Sequence, residues 1–519
     1  MALAMLVTLL VFLLLPVIWQ QRERHRRLPP GPATLPIIGN VHQMIWNKQP
    51  AVFRWIHRVL EEMNTDIICL SLRATHVIIV TCPKIACEVL RKNDEVLASR
   101  PTTFASGLFS SGYKGTIFSP YGEQWKKMRQ VLTREILTSS MEQKLQNLRM
   151  EEYNYLVRYI NNMARPNNFV DVRHVAQHFC GNIIRRLVFG KRYFSDDIPV
   201  SSTTGPGHDE VAHVVALFTA LNHVYIFSAS DYLPALVGLD LEGHGMVSKN
   251  VMAILNRLHD PIIEERIRER SGKLEKDSEN KEATDLLDVL VYLEDEDGQP
   301  LLSLQEIRAQ TMEMMLATID NPSNAVEWAL AEMMNKPEIM QKAINELDIV
   351  VGKDRLVEES DIPRLNYLKS CIREAFRLHP YHALNVPHVA MADTTIAGYT
   401  IPKGSHVILS RLGLGRNPKI WNKPLEFRPD RHLNTANVLL TEPGLRFISF
   451  SSGRRGCPGI SLGTSVTMML FARMLQGFTW TKPHGIESSI SLQEGNASLA
   501  LAEPLVLRAE PRLAAHLYI

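Results

Sequence analysis

Cysteine is scarce in this chain. Six occur in 519 residues (Cys69, Cys82, Cys87, Cys180, Cys371 and Cys457), and none is paired in a Cys-x-x-Cys spacing. That excludes a disulfide scaffold and fits thiols kept reduced in a reducing compartment. Charge of one sign is also lacking. Lys and Arg number 57 against 55 Asp and Glu, a net charge of +2, which argues against a nucleic-acid partner. No glycine-rich dinucleotide motif and no internal repeat is present, although the length alone would allow about three domains. One hydrophobic run is almost continuous. Ala2–Trp19 is apolar except for Thr8, and Arg22, Arg24, Arg26 and Arg27 follow it. Eighteen residues rising 1.5 Å each span about 27 Å, close to the thickness of an endoplasmic reticulum bilayer. The charges follow the run instead of preceding it, and no small-x-small cleavage site is evident. These features favour a retained anchor over a cleaved signal peptide. The positive-inside rule then leaves the rest of the chain in the cytosol. The expected organisation is an anchor at 1–20, a basic and proline-rich linker at 21–45, and one large domain at 46–519. Leu28–Pro36 stiffens the linker, because its prolines fix φ.

Within the large domain helical patterns dominate. Ile67–Val80 is rich in β-branched residues and predicts a pair of strands. Pro83–Arg91 predicts a helix, and Arg100–Pro120 a loop. Trp125 and Arg129 are four apart and share a helix face. Ser195–His208 and Ser271–Ala283 predict polar loops, with helices at Val211–Phe227 and Val247–Arg270. Leu304–Asn335 predicts a long helix and Lys369–Leu378 a shorter one. Near the C-terminus, Asn496–Leu501 predicts a turn reaching back toward the interior.

The most informative stretch is Phe450–Gly459, F-S-S-G-R-R-G-C-P-G. Cys457 sits in a glycine-rich turn ahead of the apolar helical run from Ile460 to Phe478. The first N–H groups of a helix are unpaired and its dipole favours an anion, so the turn suits a thiolate. The full pattern F-x-x-G-x-R-x-C-x-G resembles the haem-binding signature of the cytochrome P-450 monooxygenases. That resemblance implies a mainly α fold with small β-sheets, built as a single haem domain, and haem b as the cofactor. Cys457 would be the axial ligand of the haem iron, with Phe450 packed beside it. Arg455, Arg129 with Trp125, and His388 would meet the propionates. Glu374 and Arg377 match the family's E-x-x-R, and Arg431 its later P-E-R region, with Asp430 for Glu and His432 for the usual Phe. The three would lock the core.

One segment departs from the family pattern. Where the family usually has A-G-x-D/E-T-T, this chain has Ala317-Thr318-Ile319-Asp320-Asn321-Pro322. Asp320 keeps the acid, and Asn321 replaces the threonine that helps deliver protons to dioxygen. Pro322 removes a helical N–H and should kink the helix. The run Asp320–Asn324, together with Asn385–Ala390 and His432, resembles the plant branch that converts amino acids to aldoximes. The implied function is N-hydroxylation of an L-amino acid, twice, ending in the (E)-aldoxime. Asp320 and Asn321 would be catalytic. NADPH would supply electrons through NADPH–cytochrome P-450 reductase at the endoplasmic reticulum membrane. Phenylalanine is the first substrate expectation and tyrosine the second. Phe109, Phe118, Phe218, Thr318, Leu384, Asn385 and Leu499 are the pocket candidates. Asn385, His382 and the region of Arg100 could receive the substrate carboxylate. Lys126, Lys127 and Arg134 read as solvated surface or as docking points for an acidic redox partner. Alternatives are a terpenoid or phenolic hydroxylase, a rearranging haem-thiolate enzyme acting on a hydroperoxide, and a non-catalytic haem-binding protein.

Overall fold

The computed structural model describes residues 28–519, apart from 48–50, 168, 193–206, 225, 234–235, 237–238, 274–282, 434–436, 484–488 and 497. The expected anchor, the start of the linker and most of the two polar loops lie outside the described residues. Among those described, no helix is long and apolar enough to cross a membrane.

The elements that position the site are, in order, β1 (Ile67–Leu72), β2 (Thr75–Val80), α1 (Glu123–Val131), α2 (Gln146–Asn167), α3 (Val172–Phe189), α4 (His208–Val224) and α5 (His244–Lys273). They continue with α6 (Leu304–Met334), α7 (Asn366–Leu378), β3 (His388–Val389), β4 (His406–Leu409), α8 (Arg411–Gly415) and α9 (Ile460–Gly477). The strands form one sheet in the order β1-β2-β4-β3. β1 and β2 are antiparallel, β2 and β4 parallel with Val77 opposite His406, and β3 antiparallel to β4. A second sheet joins Phe169–Asp171, Val506–Pro511 and Phe478–Thr481.

Helix α6 is the central beam. Ser303 caps it reciprocally: the Glu306 N–H donates to Ser303 Oγ at 3.3 Å, and the Ser303 N–H to Glu306 Oε2 at 2.8 Å. It is apolar on most faces, as a helix threading a large core must be, and it packs on α3, α4, α7 and α9. It continues as one element through Pro322. Pro322 has no N–H to offer the Thr318 carbonyl. Nearby, Thr318 Oγ1 donates to Met314 O at 3.0 Å and Ser323 Oγ to Ile319 O at 2.6 Å.

The strand pair at 67–80 and the helices at 304–335, 369–378 and 460–478 are as expected within a few residues. The helices expected from 211 and 247 begin earlier, at His208 and His244. Within 100–120, read as loop, Phe104–Phe109 is helical. Thr103 and Ser106 form a reciprocal cap, with the Ser106 N–H on Thr103 Oγ1 at 3.2 Å and the Thr103 N–H on Ser106 Oγ at 3.1 Å. This local polar chemistry, not apolar periodicity, starts that helix. The helix at 83 passes from α to π geometry over Glu88–Lys92.

Candidate active site

The cysteine loop is built by close backbone approaches. The Cys457 N–H donates to Phe450 O at 2.8 Å and the Gly456 N–H to Gly453 O at 2.9 Å. Gly453 has φ +78°, and a Cβ there would stand 2.4 Å from Leu90 O, so only glycine fits. Phe450 packs edge-on to Phe376, with centroids 6.1 Å apart. Cys457 opens on a cavity of about 830 Å³, walled by the loop at 116–118, by α6 from Gln310 to Pro322 and by the segment 381–387. Burial pushes its thiol up. The Gly459 N–H and the charges of Arg129 and Arg411 pull it back without overcoming burial. A thiolate at this position calls for one more cation.

Basic side chains gather along the same cavity. Arg455 donates from Nε to Ala98 O at 2.5 Å, from Nη1 to Thr116 O at 3.1 Å and from Nη2 to Ser119 O at 2.7 Å. Its guanidinium lies 4.5 Å from the Trp125 ring centre. Arg129 Nη2 donates to Gly456 O at 3.0 Å, which ties α1 to the cysteine loop. Arg100 Nη1 donates to Pro387 O at 2.8 Å. Trp125, Arg129, Arg455 and Arg100 all line the cavity, whereas His388 does not. His388 Nδ1–H donates to Leu97 O at 2.8 Å, and its buried Nε2 has no partner among the described residues. Burial lowers its pKa to about 3, so the ring is neutral with Nε2 as an acceptor. To donate to a propionate it would have to gain a proton.

On α7, Glu374 is wholly buried. It accepts from Arg377 Nε and Nη2, both at 2.8 Å, from Arg431 Nε at 2.9 Å and from the Arg428 N–H at 2.9 Å. His432 completes the set. Its Nδ1 accepts from Arg373 Nε at 3.1 Å, so Nε2 carries the proton and donates to Glu374 Oε2 at 2.7 Å. Burial alone would raise the Glu374 pKa, but these donors hold it at about 2. The expected Glu374–Arg377–Arg431 network is present. His432 enlarges it toward a second pair, Arg373 with Glu442.

Polar side chains cluster on the α6 wall around Asp320. Asn321 Nδ2 donates to Asp320 Oδ1 at 2.9 Å, and His382 Nε2 lies 3.4 Å from Asp320 Oδ2. Arg411, the first residue of α8, reaches in from the end of β4. It donates to Asn321 Oδ1 at 3.3 Å and to Asn385 Oδ1 at 3.4 Å. Two turns before Asp320, Glu313 accepts the N–H groups of Thr116 and Ile117 at 2.5 and 2.7 Å and of Phe118 at 3.3 Å. It thereby pins the 116–118 loop to α6.

A half-buried thiol opening on a large cavity, with arginines in the lining of that cavity, fits a haem with anionic substituents. The cytochrome P450 family profile matches residues 29–506. The chain belongs to the cytochrome P450 family. It is similar to tyrosine N-monooxygenase of Sorghum bicolor, 57% identical over 95% of this chain and 87% of the relative. Valine N-monooxygenase 2 of Manihot esculenta is 50% identical over 99% of this chain and 94% of its own length. Phenylalanine N-monooxygenase of Arabidopsis thaliana is 49% identical over 95% and 93%.

As a cytochrome P450 the protein is a haem monooxygenase, and NADPH supplies its electrons through a reductase. Among the pocket candidates, Phe118, Thr318, Leu384, Asn385 and Leu499 line the cavity. Leu499 is held there by Trp328, whose Nε1 donates to Leu499 O at 3.0 Å. Phe109 and Phe218 do not line it. Phe109 is fully buried in the helical core, and Phe218 packs on Tyr381 with centroids 6.0 Å apart. Their aromatic character gave no sign of which face they turn to the cavity. Sequence reasoning missed Arg411 and Glu313. Arg411 had one available signal, a charged residue two positions beyond the apolar strand that ends at Leu409.

Proposed function

We propose that this cytochrome P450 hydroxylates the α-amine of an L-amino acid twice, giving the (E)-aldoxime. The observation that carries the reading is the connected polar group Asp320, Asn321, His382 and Arg411 on the wall of the cavity that Cys457 also lines. An apolar substrate would cover those groups without compensating them, whereas an amino acid brings an amine and a carboxylate. The names of the relatives point the same way. The relative named for tyrosine is 57% identical and that named for phenylalanine 49%. Tyrosine therefore stands first here, reversing the order expected from the sequence.

The haem, when bound through Cys457, supplies dioxygen activation with the reductase's electrons. The chain's own residues do the rest. Phe118, Leu384 and Leu499 cover the substrate side chain and exclude water. Asn321 holds Asp320 Oδ1, leaving Oδ2 facing His382, and this pair handles protons where the family threonine is absent. The balance is one amino acid, two O2 and two NADPH with two protons, giving one aldoxime, one CO2, three water and two NADP+. Trp125, Arg129 and Arg455 secure the cofactor, and residues 1–20 anchor the 46–519 domain to the endoplasmic reticulum through the 21–45 linker.

The test is product analysis in membranes that contain the protein, a plant reductase and NADPH, with each of the twenty amino acids supplied singly. Aldoxime from tyrosine, or from a few amino acids, is expected, and none without NADPH. No aldoxime from any of them, with an intact thiolate–haem carbon monoxide band, would overturn the reading.

A further inference from the structure

The geometry points to Arg411 as the group that binds the substrate carboxylate, an assignment that rests on the amino-acid reading above. Arg411 lines the cavity, and its partial exposure fits a side chain facing that space. Arginine stays charged in proteins, and a charge withdrawn from water needs a counter-charge or strong acceptors. Arg377, Arg373 and Arg173 have them, in Glu374, Glu442 and Glu327. Arg411 does not. Among the described residues no carboxylate forms an ion pair with it. Its hydrogen bonds among the described residues, at 3.3 and 3.4 Å, go to neutral amide oxygens, and none of those residues partners its buried Nε. Arg473 also lacks an ion pair and leaves its Nε unpaired, but it does not line the cavity.

Enclosure by protein lowers the Arg411 pKa, and the nearby charges of Asp320 and Cys457 work against that lowering. A guanidinium presents a planar fork that matches a carboxylate with two parallel hydrogen bonds. The other candidates are engaged: His382 with Asp320, and Arg100 with the carbonyls of Val386 and Pro387. In an α-amino acid the amine is one carbon from the carboxylate. A carboxylate on Arg411 therefore places the amine beside Asn321 and Asp320. The replacement of threonine by Asn321 acquires a second purpose, since its amide oxygen orients Arg411 while its nitrogen holds Asp320. Asn321 and Asn385 are positioning residues, and Arg411 touches the substrate.

Calorimetric titration of the solubilised holoenzyme tests this with three ligands: L-tyrosine, L-tyrosinamide (no carboxylate) and 3-(4-hydroxyphenyl)propanoate (no amine). Their phenyl counterparts replace them if phenylalanine is the amino acid bound. Wild type should bind the two carboxylates and bind the amide at least about tenfold more weakly. Arg411→Met should weaken both carboxylates by roughly ten- to a hundredfold, as loss of a charge-assisted pair implies, and leave the amide unchanged. Arg411→Lys should recover part of the loss. Equal wild-type affinity for tyrosine and its amide would overturn the assignment even if Arg411→Met takes up no haem. So would equal weakening of all three ligands, the pattern expected if Arg411 served the cofactor. Those results leave the amino-acid reading standing. Wild-type binding of none of the twenty amino acids would overturn both.

Discussion

Glu374 on α7 and Glu313 on α6 are both buried carboxylates, yet they sit in opposite surroundings. Glu374 accepts from two arginines, a histidine and a backbone N–H. Glu313 accepts only backbone N–H groups, with the Arg455 charge farther off, and burial pushes its pKa up to about 7. Arginines divide in the same way. Arg377 is saturated by Glu374 and by the carbonyls of Gly415, Pro424 and Glu426, while Arg411 holds two long contacts to amides. The α7 network is closed and can only be broken. The α6 wall is open and can be completed by a ligand. Closed polar networks fix a fold; incomplete ones are affordable where a substrate finishes them.

The largest expected effect comes from opening the closed side. Glu374→Ala strands the buried Arg377 and should cost about 3–5 kcal/mol. Little or no thiolate–haem carbon monoxide band should accumulate in membranes. A normal band at normal yield would show that the network is dispensable. Next is Asn321→Thr, which restores the usual family residue but is too short to orient Arg411. Aldoxime formed per NADPH consumed should fall several-fold with the haem spectrum unchanged. An equal or higher ratio would deny Asn321 any catalytic purpose.

Smaller effects separate the two carboxylates by pH. The pKa of Glu374 is depressed on folding, so its contribution is present above its ordinary value of 4.5 and is lost as pH falls toward about 2. Glu313 is raised on folding, so its contribution is present below 4.5 and is lost as pH rises toward about 7. Glu313→Gln should therefore flatten the decline in Tm between pH 5 and pH 8 by a few degrees, and an unchanged slope would contradict this. The smallest effect is His432→Phe, which gives the residue more usual in the family. It removes the bond to Glu374 and the acceptor of Arg373 Nε and should cost about 1–3 kcal/mol, read as a Tm drop of a few degrees with product yield retained.

The closed side was legible in the sequence and the open side only in part. Cys457, Glu374, Arg377 and Arg431 announce themselves because local spacing and fixed order carry them. Asn321 was visible as a departure from a pattern. Arg411 and Glu313 were not, because what distinguishes them is the partner each lacks or finds across the fold. Phe109 and Phe218 failed as cavity residues for the same reason, since residue type does not reveal whether a ring faces a cavity or the packed core. The helix at Phe104 was hidden because a capping pair starts it with little apolar periodicity.

The most direct test follows the substrate's carboxyl carbon. The enzyme, reductase and NADPH would be supplied with tyrosine, or the amino acid actually used, labelled at that carbon, and labelled CO2, aldoxime and NADPH consumption would be measured together. One labelled CO2 per aldoxime, with at least two NADPH consumed for each, is the predicted result. A hydroxylated product that retains the label would contradict the account.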